Sequence, residues 1–574
     1  MSKALENKTL ADAAMPLRSG GRILADQLAL LGADKIFCVP GESFLGLLEG
    51  LYAHQNDVQV ITCRHESGAA NMADAYGKMT GKPGIVAVTR GPGATNASNG
   101  VHTAYQDSTP MIVLVGQVGR EMMDREAFQE MDYRRMFGEM AKWVAQIDDA
   151  RRIPEYLSRA WKVALSGRPG PVVLALPEDM LTEEVATVDL KPTPLPVAAP
   201  QPSAMADLEK MLQAAKKPLL VVGGPGWNKA CCDKAIALSE RFGLPVAASF
   251  RCQDYFDNSH ENYVGVIGIA PSPKLRKRVM EEADLMIAIG PRFGEMTTQG
   301  YTLLDIPTPQ MKLVHIHPGA EELGQVYAPE LSIVSSAEAF LDAALKLEPA
   351  DCASRWADWR KDQNADYRSF IEPTTVPGKV NMADVIRHVT ETMPPDTIVA
   401  NGAGNYTVWV HRFHQHADYR TQLAPTSGSM GYSQPSAIAA KLIAPAREVI
   451  SFAGDGCFMM AGQELATAKQ YGADVIYIVV NNGMFGTIRM HQERNHPGHV
   501  IATELVNPDF VTYARAFGIE GERITDTEAF PAALARARTS KGGYLIEIVV
   551  DPEALTPSQS LSDARRQGEA ALAH

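Results

Sequence analysis

Two short turns in the last third of this sequence have the residue types to hold a hard cation and a phosphate. Gly454-Asp455-Gly456 closes the apolar run Val449–Ala453, and Asn481-Asn482-Gly483 closes the run Val475–Val480, with 24 residues between Gly456 and Asn481. A helix-like stretch, Gly462–Tyr471, lies between them. One strand–helix–strand unit brings both turns to the same edge of two parallel strands. A carboxylate and an amide oxygen at that edge suit Mg²⁺, which keeps few protein ligands and completes its octahedron with phosphate oxygens and water. Glycines beside Asp455 let backbone approach a phosphate, and a helix N-terminus adds N–H donors. Each turn alone is also an ordinary loop sequence. Their pairing at this spacing carries the reading.

Glu66 is a second candidate. It follows the run Val58–Cys63 and precedes the small-residue stretch Ser67–Gly77. A carboxyl at a strand end against small residues loses water and suits proton sharing; the plainer reading is a Glu at a helix N-terminus. The loop Gly91-Pro-Gly-Ala-Thr-Asn96 comes next. Met430 stands in Gly428-Ser-Met-Gly-Tyr432, as core filler or as the apolar wall of a site.

The elements that must position these groups follow an α/β pattern, with apolar runs alternating with helical stretches. Candidate strands are Lys35–Val39, Val58–Cys63, Gly84–Thr89, Met111–Gly116 and Val172–Leu176, then Pro218–Val222, Pro245–Ser249, Leu285–Ile289 and Lys312–Ile316, then Thr397–Ala400, Val449–Ala453, Val475–Asn481 and Tyr544–Val550. Pro-rich stretches at Asp189–Ser203 and around Glu372–Lys379 divide them. The expected architecture is three consecutive doubly wound parallel-sheet domains, at 1–188, 204–348 and 377–555, with a tail at 556–574. Ligands of such sheets sit at the carboxyl ends of strands.

The 574 residues carry a formal net charge of −13, which argues against a nucleic-acid partner. No apolar run approaches the ~20 residues of a membrane span, and Met1–Ser19 shows no targeting pattern. Seven scattered cysteines without a CxxC pair fit a reducing cytoplasm.

The spacing of GDG and NN resembles that of the thiamine-diphosphate-dependent enzymes. The stretch from Arg64 to Gly81 and the Gly91–Asn96 loop resemble that family's pyrimidine-binding segment, and the order of the blocks becomes pyrimidine-binding, central and diphosphate-binding domain. The resemblance implies that Asp455, Asn482 and the backbone carbonyl of Met484 ligate Mg²⁺. Gly454, Gly456, Cys457, Phe485 and Gly486 then surround the diphosphate, joined by Asn405, Tyr406 and Gly428. It makes Glu66 the acid against the aminopyrimidine ring and Met430 the wedge that bends the cofactor. It also implies a homodimer or homotetramer in which the pyrimidine domain of one subunit faces the diphosphate domain of another.

Within the family, Thr103–Pro110, Gly116-Gln-Val118 and Ala127-Phe-Gln-Glu130 followed by Ala141-Lys142 resemble the acetolactate synthases. Phe128, Gln129 and Lys142 become candidates for substrate contact, with Gln129 near the chemistry; a solvated helix face is the alternative for Lys142. Three features depart from that branch. His491 stands near the position of a Trp that shapes the second-substrate pocket. FAD, which those synthases bind across the central domain, is the less favoured alternative. Gly290-Pro-Arg-Phe-Gly294 and His315-Ile-His317 follow part of its outline, but Gly223-Gly-Pro-Gly226 is not a G-x-G-x-x-G. Glu42 stands where decarboxylase relatives place a proton-relay acid, or it is a turn carboxylate. The reading is a C–C lyase or ligase acting on 2-oxo acids. Carboligation by an acetolactate synthase-like enzyme comes first, and a decarboxylase, an aldehyde lyase or a C–C hydrolase are the alternatives. A non-catalytic relative would have lost Glu66, Asp455 or Asn482, and all three are present.

Overall fold

The computed structural model describes residues 15–573. The first fourteen residues, part of the segment expected to lack a targeting pattern, lie outside the described residues. The chain forms two compact units that divide after Pro196.

The first unit holds one six-stranded sheet: β1 (Lys35–Cys38), β2 (Gln59–Thr62), β3 (Gly84–Val88), β4 (Met111–Gln117), β5 (Trp143–Gln146) and β6 (Pro171–Pro177). Their order is β2-β1-β3-β4-β6-β5, and every pairing is parallel. β3, β4 and β6 are buried at every residue, as strands covered by helices on both faces must be. Helix α1 (Glu66–Thr80) packs beside α2 (Pro92–Asp107). Small residues permit this: a Cβ on Gly100 would stand 2.4 Å from Ala70 Cβ.

The second unit holds two more sheets. The central one contains β7 (Pro218–Val222), β8 (Val246–Ala248), β9 (Tyr263–Val266), β10 (Leu285–Ile289), β11 (Lys312–His317) and β12 (Leu331–Val334), in the order β9-β8-β7-β10-β11-β12. The last contains β13 (Ile398–Asn401), β14 (Gln422–Leu423), β15 (Val449–Gly454), β16 (Ile476–Asn481), β17 (Glu520–Ile524) and β18 (Tyr544–Val549), in the order β14-β13-β15-β16-β18-β17. All these pairings are parallel as well. The first and last sheets therefore share one strand order, and the central sheet has another, the order of dinucleotide-binding folds.

The three expected doubly wound sheets are all present. The central one extends further along the chain than its sequence suggests. Helix Ala357–Phe370 lies beyond residue 348 yet packs on this sheet, with Trp359 Nε1 donating to Pro218 O at 2.8 Å. The tail forms helix α4 (Leu561–Leu572), started by a capping box between Ser560 and Asp563.

Candidate active site

The strand order of the last sheet reverses between β13 and β15, where such sheets bind ligands at the carboxyl edge. A cavity of about 250 Å³ opens there. Asn405, Tyr406, Gly428, Met430, Gly454, Asp455, Gly456, Cys457, Asn482, Met484, Phe485 and Gly486 all line it. Loops after β13, β15 and β16 supply most of these residues. The first turn of helix α3 (Gly486–Asn495) adds Thr487 and Ile488. A helix N-terminus facing a cavity favours an anion.

Asp455 is buried and begins a short helix directly after β15. Its Oδ1 accepts from Gly456 N at 2.9 Å; its Oδ2 accepts from Gly483 N at 2.9 Å and from Asn507 Nδ2 at 2.8 Å. Burial pushes this carboxyl above its ordinary value, and the hydrogen bonds from Gly456, Asn507 and Gly483 pull it partly back. Asn482 Oδ1 accepts from Met484 N at 3.2 Å, and Met484 O from Gly486 N at 2.9 Å. Carboxylate and carbonyl oxygens each keep lone pairs beyond these bonds. Among the described residues no cluster of three or more His, Cys, Asp or Glu side chains could hold a metal. A cation at this lip would therefore meet one carboxylate, an amide oxygen and a backbone carbonyl. That sparse set fits a hard ion that also takes phosphate oxygens.

Cys457 ties the cavity wall together. Its Sγ accepts from Gly431 N at 3.3 Å, which fixes the loop carrying Met430, and from Tyr406 Oη at 3.5 Å. The ring of Tyr406 forms part of the wall, and its hydroxyl also accepts from Gly402 N at 2.9 Å. Asn405 Oδ1 accepts from Thr487 Oγ1 at 2.8 Å, joining the β13 loop to α3.

In the first unit, Glu66 is buried at the first position of α1. Asn96 Nδ2 donates to its Oε2 at 3.0 Å, and a Cβ on Gly93 would lie 3.4 Å from its Oε1. The Glu42 loop shares this corner. A Cβ on Gly41 would stand 2.4 Å from Thr89 Cβ, and one on Gly93 would stand 2.8 Å from Thr89 Cγ2. Glu42 itself is exposed at the start of a 3₁₀ turn. Gln129 adopts φ +64° with its backbone against Gly91, where a Cβ would meet Gln129 O at 2.9 Å. Phe128 is 74% exposed above the Arg90 guanidinium.

Two expected substrate contacts stand apart from these groups. The Lys142 ammonium donates to Val163 O and Ser166 O at the end of helix Ile153–Leu165. Lysine at a helix C-terminus satisfies orphan carbonyls, so its role here is structural. His491 is exposed on α3 and does not line the cavity. Sequence reading quoted Asn96 in the Gly91–Asn96 loop without giving it a role, and missed Thr487 and Asn507, which no local motif marks.

The central sheet reverses between β7 and β10. A Cβ on Gly224 would stand 1.7 Å from Gly290 O, so the two loops touch through their backbones. Trp227 Nε1 donates to Gly223 O and Tyr255 Oη to Gly224 O, both at 2.8 Å. These bonds tie the Gly223–Gly226 turn to the body of the domain, and a smaller cavity lined by Arg292, Phe293, Gly294 and His315 opens beyond β10 and β11.

Three family models match the chain in order: the thiamine pyrophosphate enzyme N-terminal TPP binding domain at 18–136, the central domain at 205–344 and the C-terminal TPP binding domain at 402–548. This chain belongs to the thiamine pyrophosphate enzymes. It is similar to the acetolactate synthase large subunit of Corynebacterium glutamicum, 32% identical over 91% of this chain and 84% of the relative. The large subunit from Lactococcus lactis is 31% identical over 93% and 92%. The probable large subunit from Methanocaldococcus jannaschii is 30% identical over 94% and 93%. The cavity between β13 and β15 lies within the matched C-terminal TPP binding domain, and Glu66 lies within the matched N-terminal TPP binding domain. Among the described residues no helix is long and apolar enough to cross a membrane.

Proposed function

We propose that this chain is an acetolactate synthase-like enzyme that depends on thiamine diphosphate and Mg²⁺. It removes CO₂ from a 2-oxo acid such as pyruvate and joins the remaining acyl carbon to a second carbonyl. The grouping of Asp455, Asn482 and Met484 around one cavity at the carboxyl edge of adjacent parallel strands carries this reading. These three would hold Mg²⁺, with Gly454, Gly456 and the first turn of α3 against the diphosphate.

When bound, thiamine diphosphate supplies a carbon that accepts the electron pair left by departing CO₂. The chain's own groups orient and protonate. Asn96 occupies Glu66 Oε2, so Oε1 is the atom left to share a proton with the pyrimidine ring. Met430 offers an apolar wall that Cys457 keeps in place through Gly431. Phe128 and Gln129 would contact substrate from the loop beside Gly91. Membership of the thiamine pyrophosphate enzymes supports a homodimer or homotetramer in which a second subunit completes each site. Among the described residues no disulfide joins the seven buried cysteines, which supports a reducing cytoplasm.

Decarboxylation is the second reading. It is favoured by Glu42, an exposed acid on the loop that packs against Thr89 at the Glu66 corner. Incubating the purified protein with pyruvate, thiamine diphosphate and Mg²⁺ and following acetolactate, acetaldehyde and CO₂ separates the two. Acetolactate as main product supports ligation. Acetaldehyde supports decarboxylation. Bound cofactor without turnover excludes pyruvate as donor and directs the assay to larger 2-oxo acids.

A further inference from the structure

Asp455 is the end of a buried hydrogen-bond relay that starts at the edge of the sheet. Glu547 on β18 is 1% exposed. Its Oε2 accepts from Arg523 Nε on β17 at 2.7 Å, and its Oε1 accepts from Asn481 Nδ2 at the end of β16 at 2.8 Å. Arg523 also reaches Asp509 Oδ2 at 3.2 Å. Asn481 Oδ1 then accepts from Gly483 N and from Asn507 Nδ2, each at 3.1 Å. The same two donors hold Asp455 Oδ2, at 2.9 and 2.8 Å.

The direction of every bond follows from one charge. Ionised Glu547 only accepts, so the amide nitrogen of Asn481 must face it and the amide oxygen must face the other way. That oxygen draws the N–H₂ of Asn507 and the N–H of Gly483 into the place where both also reach Asp455. Rotation of Asn481 would set an N–H₂ against two donors and release Asp455 Oδ2. A buried Glu–Arg pair that served the fold alone would not need two amides in series, aimed at one carboxylate oxygen.

We propose that Asn481, Asn507 and Glu547 are positioning residues that set the side-chain orientation of Asp455 for the cation. This rests on the reading of Asp455 as a metal ligand. The partners of first ligands tune metal affinity, and losing one costs roughly 10–100-fold. Asn507 is only half-buried, on the segment ahead of helix Phe510–Ala516, so its replacement leaves the core intact.

The test is titration of Mg²⁺ into apoprotein holding excess thiamine diphosphate, read by calorimetry, beside the melting temperature of the apoprotein. Asn507→Leu should raise the Mg²⁺ dissociation constant roughly 10–100-fold, with the apo melting temperature unmoved and turnover at saturating Mg²⁺ within a few-fold. Asn481→Asp puts two carboxylates together and should weaken Mg²⁺ binding similarly. The double variant Asn481→Asp with Glu547→Gln reverses the first bond, with the Gln amide now donating to the Asp carboxylate, and should restore the affinity. Unchanged Mg²⁺ affinity in Asn507→Leu, or no rescue by the double variant, overturns the proposal. Asp455→Asn is the control: native-like Mg²⁺ binding there would remove the metal-ligand reading itself, whereas loss there with native Asn507→Leu removes only the relay.

Discussion

Arg565 grips the buried carboxylate of Glu493 with two nitrogens, Nε to Oε2 at 2.8 Å and Nη2 to Oε1 at 2.6 Å. Glu493 is on α3, whose first turn lines the cavity, and Arg565 is on the terminal helix α4. Arg489 Nε and Gly498 N complete the shell, each at 3.0 Å. A Cβ on Gly568 would lie 2.3 Å from Glu493 O, so the two helices meet backbone to backbone. Met484, Met490, Leu555, Leu561 and Ala564 cluster beside them. The tail thus clamps the helix whose first turn lines the mouth of the cavity.

Arg565→Ala leaves Glu493 buried with one cationic partner. The expected result is a several-fold rise in the apparent KM for thiamine diphosphate with a smaller change in kcat, measured by steady-state titration of the cofactor. The Arg565 hydrogen bond, with help from Gly498 and Arg489, draws Glu493 down to about 2. A lowered carboxyl stabilises the fold above its unfolded value of roughly 4.3 and loses that contribution as pH falls toward the folded value. Acid unfolding monitored between those limits should begin at higher pH in the Arg565→Ala protein.

Glu66→Gln keeps the shape of the side chain and the Asn96 contact but removes the shared proton. General acid–base groups contribute roughly 10²–10⁴-fold. Turnover at saturating cofactor should fall by that order while thiamine diphosphate still binds. Full activity in this variant would remove Glu66 from the chemistry.

Glu42→Gln tests the choice between capture by a carbonyl and capture by a proton. If Glu42 delivers a proton, the ratio of acetaldehyde to acetolactate falls in the variant while CO₂ release continues. A constant ratio makes Glu42 an exposed turn residue.

The Gly223–Gly226 turn lacks the G-x-G-x-x-G spacing and its carbonyls are taken by Trp227 and Tyr255, so protein purified without added flavin should show no flavin absorbance, and FAD should leave the rate unchanged. One equivalent of tightly held FAD would contradict this.

Three buried histidines give the second unit an acid limit. Burial lowers His414 to about 4 and holds His411 and His416 well below the ordinary imidazole value. A group kept neutral in the fold stabilises it above the unfolded value near 6.5 and loses that contribution as pH falls toward the folded value. Urea midpoints should fall between pH 6.5 and 5 and stay level above 7. Replacing His414 by Gln should flatten the slope.

Strands covered on both faces were legible because their burial writes a continuous apolar run, as in Val475–Val480. Edge strands were not. Trp143–Gln146, Tyr263–Val266, Leu331–Val334, Gln422–Leu423 and Glu520–Ile524 form five of the six edges of the six-stranded sheets, and none is among the strands expected from sequence. Glu520-Gly-Glu-Arg-Ile524, for example, buries only Gly521 and Ile524. The glycine and asparagine turns that meet at the cavity were legible because close backbone approach at the carboxyl ends of strands restricts residue type locally. Asn96 and Asn507 were not, since each works through a bond 30 or 52 residues away in sequence. Residue type also left unread the bonds that Lys142 and Tyr406 make within the fold, to Val163 O and Ser166 O and to Gly402 N.

The first and last sheets repeat one strand order around different chemistry. In each, the turn after the third strand joins the business corner: Gly91-Pro92-Gly93 beside Glu66 in one, Gly454-Asp455-Gly456 in the other. An ancestral duplication would leave this trace, with one copy keeping an acid for the organic ring and the other a seat for the charged end. Divergence would then have been confined to loop tips, where exchange of a few residues leaves the scaffold untouched. Grafting the β15–β16 turns onto the equivalent strands of the first unit would be the direct experiment on how far that kinship still extends.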